Sequence, residues 1–424
     1  MKFITILIYF FIISSVLFAN DYSFEIPADE SKKEALELSG NLDVKYLLFN
    51  SDKSSPIYNL QYFNQKLSNS LSSYYLAFYL NGDYQTKNIG VHLKTYSEYY
   101  NDNQTDFKVF ELYGNLNFSL NTTLIAGKKM YNWGKGYAFN PVGYVNSKKD
   151  PENPELAQAG VFSINYQYSK SFQSEIIKNA AFDLIVIPSA TTVNNKISET
   201  RNTDIAGKID FLFCDADIDF LWYYSNTNSK NIGFDFSKNI TPNLEFHGEF
   251  NRFNNLIKNS IFNNTLESNK TSGLSYLFGI RWLNKSDITT IFEYYHNDKG
   301  LTKNEFRDYN NFLINAAASM NNNTIANALN TNKNYFSGAN LMCNYLYLKV
   351  SKPEPFKIIY FTPSIYSIYN IDDRSFTVGA PLSYKPITNF EFIFSPVFFN
   401  GGKNTEFGGK QYDSKLELWA KYFF

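Results

Sequence analysis

The sequence predicts an all-β protein: a transmembrane antiparallel up-and-down β-barrel of about eighteen strands, with sixteen as the next count. Three observations carry that reading. Short segments alternate apolar and polar residues with a period of two. Large rings abound, 40 Phe and 33 Tyr in 424 residues, beside enough Asn, Ser and Lys to hold mean hydropathy at −0.33. The connections between segments also sort by length into two sets, as they do when long loops lie at one barrel end and short turns at the other.

The alternation is plainest in Leu244-Glu-Phe-His-Gly-Glu-Phe250. Leu244, Phe246, Gly248 and Phe250 share one face, and Glu245, His247 and Glu249 share the other, because successive strand side chains point to opposite sides. Residues 205–211, 217–222, 232–236 and 274–282 repeat the pattern, and helical spacing fits none of them. Strands are expected at 36–50, 71–82, 87–100, 106–118, 122–133, 160–170, 179–190, 203–213, 216–226, 230–238, 243–253, 271–283, 286–297, 338–352, 357–370, 373–386, 389–399 and 412–424. The segments at 179–190 and 230–238 are the weakest, which leaves room for sixteen.

With the first strand running outward, the outer connections are 51–70, 101–105, 134–159, 191–202, 227–229, 254–270, 298–337, 371–372 and 400–411. The inner turns are 83–86, 119–121, 171–178, 214–215, 239–242, 284–285, 353–356 and 387–388. Most long ones fall outside and most short ones inside, which places both termini in the periplasm. In loop 298–337 the run Asn311-Phe-Leu-Ile-Asn-Ala-Ala-Ala-Ser-Met320 has the make-up of a short helix. It could cap the pore, but such a loop is more often a solvated surface excursion.

Residues 1–19 read as a secretory signal peptide: Lys2, an apolar run from Phe3 to Phe18, then Ala19 before Asn20 and Asp21. The run is short for a spanning helix, which needs about 20 residues. Residues 20–35 form a polar periplasmic lead-in, and 36–424 the barrel. A net charge of −1 speaks against a nucleic-acid partner. Cys214 and Cys343 are 129 positions apart and read as incidental thiols, not a disulfide framework.

The last strand places Leu416, Leu418, Ala420, Tyr422 and Phe424 on one face and Lys415, Glu417 and Lys421 on the other. It resembles the terminal recognition strand of outer-membrane β-barrels. That resemblance implies delivery to a Gram-negative outer membrane, and contact with the barrel-assembly machinery through Leu416, Leu418, Tyr422 and Phe424. A soluble protein ending in so apolar an edge would invite aggregation.

A second motif runs Trp133-Gly-Lys-Gly-Tyr-Ala-Phe-Asn-Pro-Val142 and continues through Lys149-Asp-Pro-Glu-Asn-Pro-Glu-Leu156. Its Trp-Gly, Asn-Pro and Asp-Pro-x-x-Pro-Glu-Leu elements resemble a loop of porin-like outer-membrane proteins, without pointing to one family. Gly134 and Gly136 admit unusual backbone angles, while Pro141, Pro151 and Pro154 stiffen the excursion. A loop this stiff either folds inward and narrows the pore or packs on the rim. Candidate constriction residues are Trp133, Lys135, Tyr137, Asn140 and Asp150, with Glu249 and Arg281 on the wall.

The lumen face carries mixed charge: Glu37, Asp43, Lys45, Lys94, Lys108, Lys208, Asp210, Asp217, Asp219, Asp235, Glu245, Glu249, Arg281, Glu293, Lys415 and Glu417. No sign dominates, so ion selectivity does not follow. His92, His247 and His296 fall on separate strands. His247 between Glu245 and Glu249 reads as a solvated polar cluster; no catalytic, cofactor or metal site is expected. The pattern points to a porin-like channel for small polar solutes, with lipid as its solvent and a homo-oligomer possible. The alternative is a closed barrel that binds a partner or polysaccharide through loops 134–159 and 298–337.

Overall fold

The computed structural model describes residues 36–65, 68–101, 104–188, 194 and 202–424. The expected signal peptide 1–19, the lead-in 20–35 and most of connection 191–202 lie outside them. The barrel closes as an antiparallel sheet of eighteen strands. In chain order these are β1 (Leu36–Ser51), β2 (Ser70–Gln85), β3 (Ile89–Tyr100), β4 (Thr105–Ser119), β5 (Thr122–Lys129) and β6 (Val161–Ser171). They continue as β7 (Ile177–Ile187), β8 (Asp204–Phe213), β9 (Ala216–Tyr224), β10 (Lys230–Thr241), β11 (Leu244–Phe262) and β12 (Thr265–Leu283). The last six are β13 (Thr289–Asn297), β14 (Asn344–Ser351), β15 (Phe361–Asn370), β16 (Phe376–Gly379 and Leu382–Ile387), β17 (Phe390–Asn400) and β18 (Tyr412–Phe423).

β16 is one strand in two pieces, both paired to β15 and β17. The gap falls at Ala380-Pro381, where Pro381 has no N–H for the ladder. Closure is made by β18 against β1, from Asn41 opposite Phe423 to Ser51 opposite Tyr412. Phe424 and Gly40 exchange backbone hydrogen bonds of 3.0 and 3.1 Å. Both ends of the described barrel thus sit on the side of the short turns. On the outer wall, Val44, Leu48, Leu76, Ile205, Phe278 and Leu418 are exposed, as a lipid-facing band requires. Every charged residue expected on the lumen face has the inward parity in the registers.

Two long connections differ from expectation. Residues 254–270 are not a loop: β11 and β12 continue past the bulge at Phe253/Leu256 as a hairpin. It turns at Asn263 and Asn264, with φ of 49° and 61°, the two left-handed residues of a type I′ turn. Connection 298–343 is not a solvated excursion either. It holds α2 (Lys303–Ala318) and α3 (Asn322–Thr331), and α1 (Pro56–Gln61) packs beside them. α2 begins with a capping box in which the Thr302 hydroxyl and Glu305 carboxylate satisfy each other's backbone N–H. Its apolar stripe, Phe306, Tyr309, Phe312, Leu313 and Ala316, is buried against Leu60 of α1 and the lumen-facing Tyr345, Tyr347, Ile368 and Val397.

Candidate functional site

Residues 130–160, between β5 and β6, fold into the barrel. Gly134 has φ +95°, and a Cβ there would lie 2.1 Å from Asn140 Oδ1 and 2.7 Å from Glu249 Oε1. Only glycine supplies both the left-handed turn and this approach to the wall. Asn140 then staples the turn by donating from Nδ2 to the Trp133 carbonyl, and Asn146 donates to the same oxygen at 3.0 Å. Trp133 is buried with Tyr131, Val142, Val145, Ile185 and Leu221. Burying a ring of this size contributes about 3 kcal/mol.

The wall beneath explains why the loop comes in. Asp210, Asp219, Asp235 and Glu249 stand opposite one another on β8 to β11, four carboxylates in one rung. Like charges packed this closely need partners. The loop provides part of them, and Lys208 of β8 another part, while both Asp235 oxygens keep no hydrogen bond among the described residues. Glu249 Oε1 accepts the backbone N–H groups of Lys135 at 2.7 Å and Gly136 at 2.6 Å, and Oε2 accepts that of Val142 at 3.1 Å. Glu293 accepts from the backbone of Tyr137 and, at 3.0 Å, of Ala138. The Lys135 ammonium lies 2.6 Å from Asp217, 3.2 Å from Asp219 and 3.7 Å from Asp235. Burial alone would lower its pKa; Asp219, with Asp217 and Asp235, outweighs that and holds it above the usual lysine range.

Carboxylate oxygens of Asp210, Asp217 and Asp219 come within 4.8 Å of one another. Lys135 and Lys208 already supply the cations there, Lys208 at 3.2 Å from both Asp210 and Asp219. His247 is not solvated as expected: it is buried, 3.2 Å from Glu293 and 3.4 Å from Glu245. The reason is Gly279 on the neighbouring strand, where a Cβ would sit 2.1 Å from His247 Nε2. The glycine opens the path by which the imidazole reaches Glu293.

From Tyr137 onward the loop crosses the lumen. Tyr137 donates to Glu155 at 2.7 Å and accepts from Lys349 on β14. Lys149 donates to the Gly136 carbonyl at 2.6 Å. Glu152 reaches Lys415 on β18 at 2.8 Å and Lys410 at 3.5 Å, and Lys415, Glu417 and Lys45 extend the chain of charges onto β1 at 2.9 and 2.8 Å. Asp150 lies beside that chain, and burial followed by the neighbouring Glu152 pushes its carboxyl up.

The loop therefore anchors on β8–β14 and touches β18, while α2 and its partners fill the mouth on the β12–β17 side. Open space remains between Leu156–Ala157 of the loop and the wall made by β18 and β1 to β4. This gap has a volume of about 230 Å³ and is bordered by Trp419, Tyr75, Tyr79 and Tyr96, with Asp43, Lys45, Glu98 and Lys108.

Of the seven residues singled out in the sequence, Lys135, Asn140, Trp133 and Glu249 meet at the loop's anchor, and Tyr137 and Asp150 lie on its crossing arm. Arg281 is not with them: it is exposed, opposite Glu245 near the short-turn end of β12. Sequence reasoning passed over Tyr75, Tyr79 and Tyr96. Their inward parity on β2 and β3 was the available signal.

No protein-family model matches the chain, and no curated protein matches it by sequence. Solved structures do resemble it. Pseudomonas aeruginosa OccK9 (OpdG) superposes with a TM-score of 0.55 at 7% identity, over 93% of this chain and all (100%) of that one. A BenF-like porin from Pseudomonas fluorescens Pf-5 gives 0.54 at 9%, over 92% and 99%. Pseudomonas aeruginosa OccK2 (OpdF), solved in complex with glucuronate, gives 0.53 at 11%, over 92% and 98%. At such identities the likeness is one of fold: an eighteen-stranded barrel of the porin type.

Proposed function

We propose that the chain is an outer-membrane channel through which small polar solutes cross passively, with the gap beside Leu156–Ala157 as its narrow point. The observation that carries this reading is a loop latched across the lumen with a gap of about 230 Å³ left between its Leu156–Ala157 and the wall of β18 and β1 to β4. Eighteen strands enclose enough room for water, and an inward loop then sets the bore. The names of the similar structures, porins among them and one holding glucuronate, support the same class of activity. In this reading the terminal strand delivers the chain to the outer membrane, both termini face the periplasm, and no catalytic step is involved.

The competing reading is a barrel closed by its own loops that binds a partner at its surface. It draws on the apolar core that α1, α2 and α3 build over one side of the mouth. Planar-bilayer recording separates the two. The channel reading expects a stable single-channel current from the folded barrel. A barrel that folds, shown by its heat-modifiable migration, and passes no current would overturn it.

A further inference from the structure

Within the gap, β1, β2 and β3 are in register such that Asp43, Ala77 and Glu98 form one inward rung. On β2 this rung is flanked by Tyr75 on one side and Tyr79 on the other. Those two Cα atoms are about 13 Å apart at the usual rise per residue. Ala77 between them is the small floor of a notch, with a carboxylate at each side. Tyr79 lies against Tyr96 with centroids 4.7 Å apart, and Tyr96 stacks on Phe110 at 5.0 Å, so these rings are held in place. At the other end Lys45 sits 3.9 Å over the Trp419 ring and 2.8 Å from Glu417.

We propose that this notch holds one neutral polyhydroxylated ring, a monosaccharide-sized cyclic solute, as it passes; the inference rests on the channel reading. Flat aromatic faces take the C–H face of such a ring, as they take other apolar surfaces. Asp43 Oδ1 already accepts from Asn41 at 2.6 Å and Glu98 Oε2 from the Tyr96 hydroxyl, so the second oxygen of each carboxylate is the one placed to receive the ring's hydroxyl protons. The lining counts two carboxylates, Asp43 and Glu98, and two ammoniums, Lys45 and Lys108, which pair with Glu417 and Asp106, so its own groups sum to no net charge that would draw in an ion. The volume, about 230 Å³, lies below the roughly 300–1,000 Å³ of sites for larger ligands and suits a single small ring.

The test compares glucose, the open-chain sorbitol and glucuronate as additives to single-channel recordings of the full chain. Glucose is expected to interrupt the current at concentrations where sorbitol and glucuronate do not. Tyr79→Ala is expected to weaken that block about tenfold, equivalent to about 1.4 kcal/mol, and Ala77→Phe to abolish it. Saturation-transfer NMR on the detergent-solubilised chain reads the same contact without needing a current. Equal block by glucose and sorbitol, tighter block by glucuronate, or no effect of Tyr79→Ala in a folded barrel would each overturn the site. Absence of any current strikes the channel reading; absence of both interruption and saturation transfer strikes this one.

Discussion

Glu249 on β11 and Gly136 in the inward loop are bound carboxylate to backbone N–H at 2.6 Å, across 113 positions of sequence. The same buried carboxylate holds Lys135 and Val142, so one wall residue satisfies three loop donors. Replacing Glu249 by Ala strands those donors, each at a cost of about 1–3 kcal/mol where buried. Even about 3 kcal/mol changes the docked-to-undocked ratio more than a hundredfold. Glu249→Ala is therefore expected to give a larger and noisier single-channel conductance, and Glu249→Gln, which keeps one acceptor, a smaller change. Unchanged conductance in Glu249→Ala would remove the latch from the account.

Lys135 offers a second test, because its ammonium sits among Asp217, Asp219 and Asp235. Breaking a buried ion pair on one side costs about 3–5 kcal/mol, since the partner charge is left uncompensated. Lys135→Met is expected to lower the thermal midpoint of the folded barrel. It should also move the reversal potential in a salt gradient toward cations, by unmasking acidic groups. Lys135→Arg, which restores charge, should recover most of both.

Much of this was legible in the sequence because strand parity is local. The inward face of Asp43, Lys208, Asp235, Glu249 and Glu293 follows from counting residues by two. Which of them meet the loop is not local, since Glu249 and Gly136 meet only once eighteen strands are in register. The hairpin extension at 254–270 was hidden for a different reason. Its apolar residues Leu256, Ile257, Ile261, Phe262 and Leu266 are scattered among Asn and other polar residues, and such sequence reads as loop although backbone ladders form there equally well. His247 was misjudged because its burial depends on a glycine one strand away.

The helices of connection 298–343 can be removed without touching a ladder. Deleting 303–336 and joining the ends with a short Gly-Ser linker should leave a folded barrel, while exposing Tyr345, Tyr347 and Ile368 to water. The expected outcome is higher conductance and a lowered thermal midpoint. The milder Leu313→Ala should cost about 2–5 kcal/mol at the same packed site. A deletion that folds and conducts as the parent does would show that the helices do not obstruct the mouth.

Acidity should act on the loop in two opposite steps. Burial, then Glu152, raises the Asp150 carboxyl, so its charge costs stability at neutral pH; that cost disappears as pH falls through the raised value. Glu152 goes the other way. Burial pushes its carboxyl up, but Lys410 and Lys415 together win and hold it below the usual range. Its contribution is complete above the unfolded carboxylate value of about 4.3 and is lost as pH falls through the lowered folded value. Relative to the parent, Asp150→Asn should be more stable at pH 7 and lose that advantage on mild acidification. Glu152→Gln should be less stable at pH 7 and converge with the parent only at the acid end. Thermal midpoints measured from pH 7 down to the acid limit check both, and parallel curves for parent and variants would show that neither carboxylate governs how the loop is held.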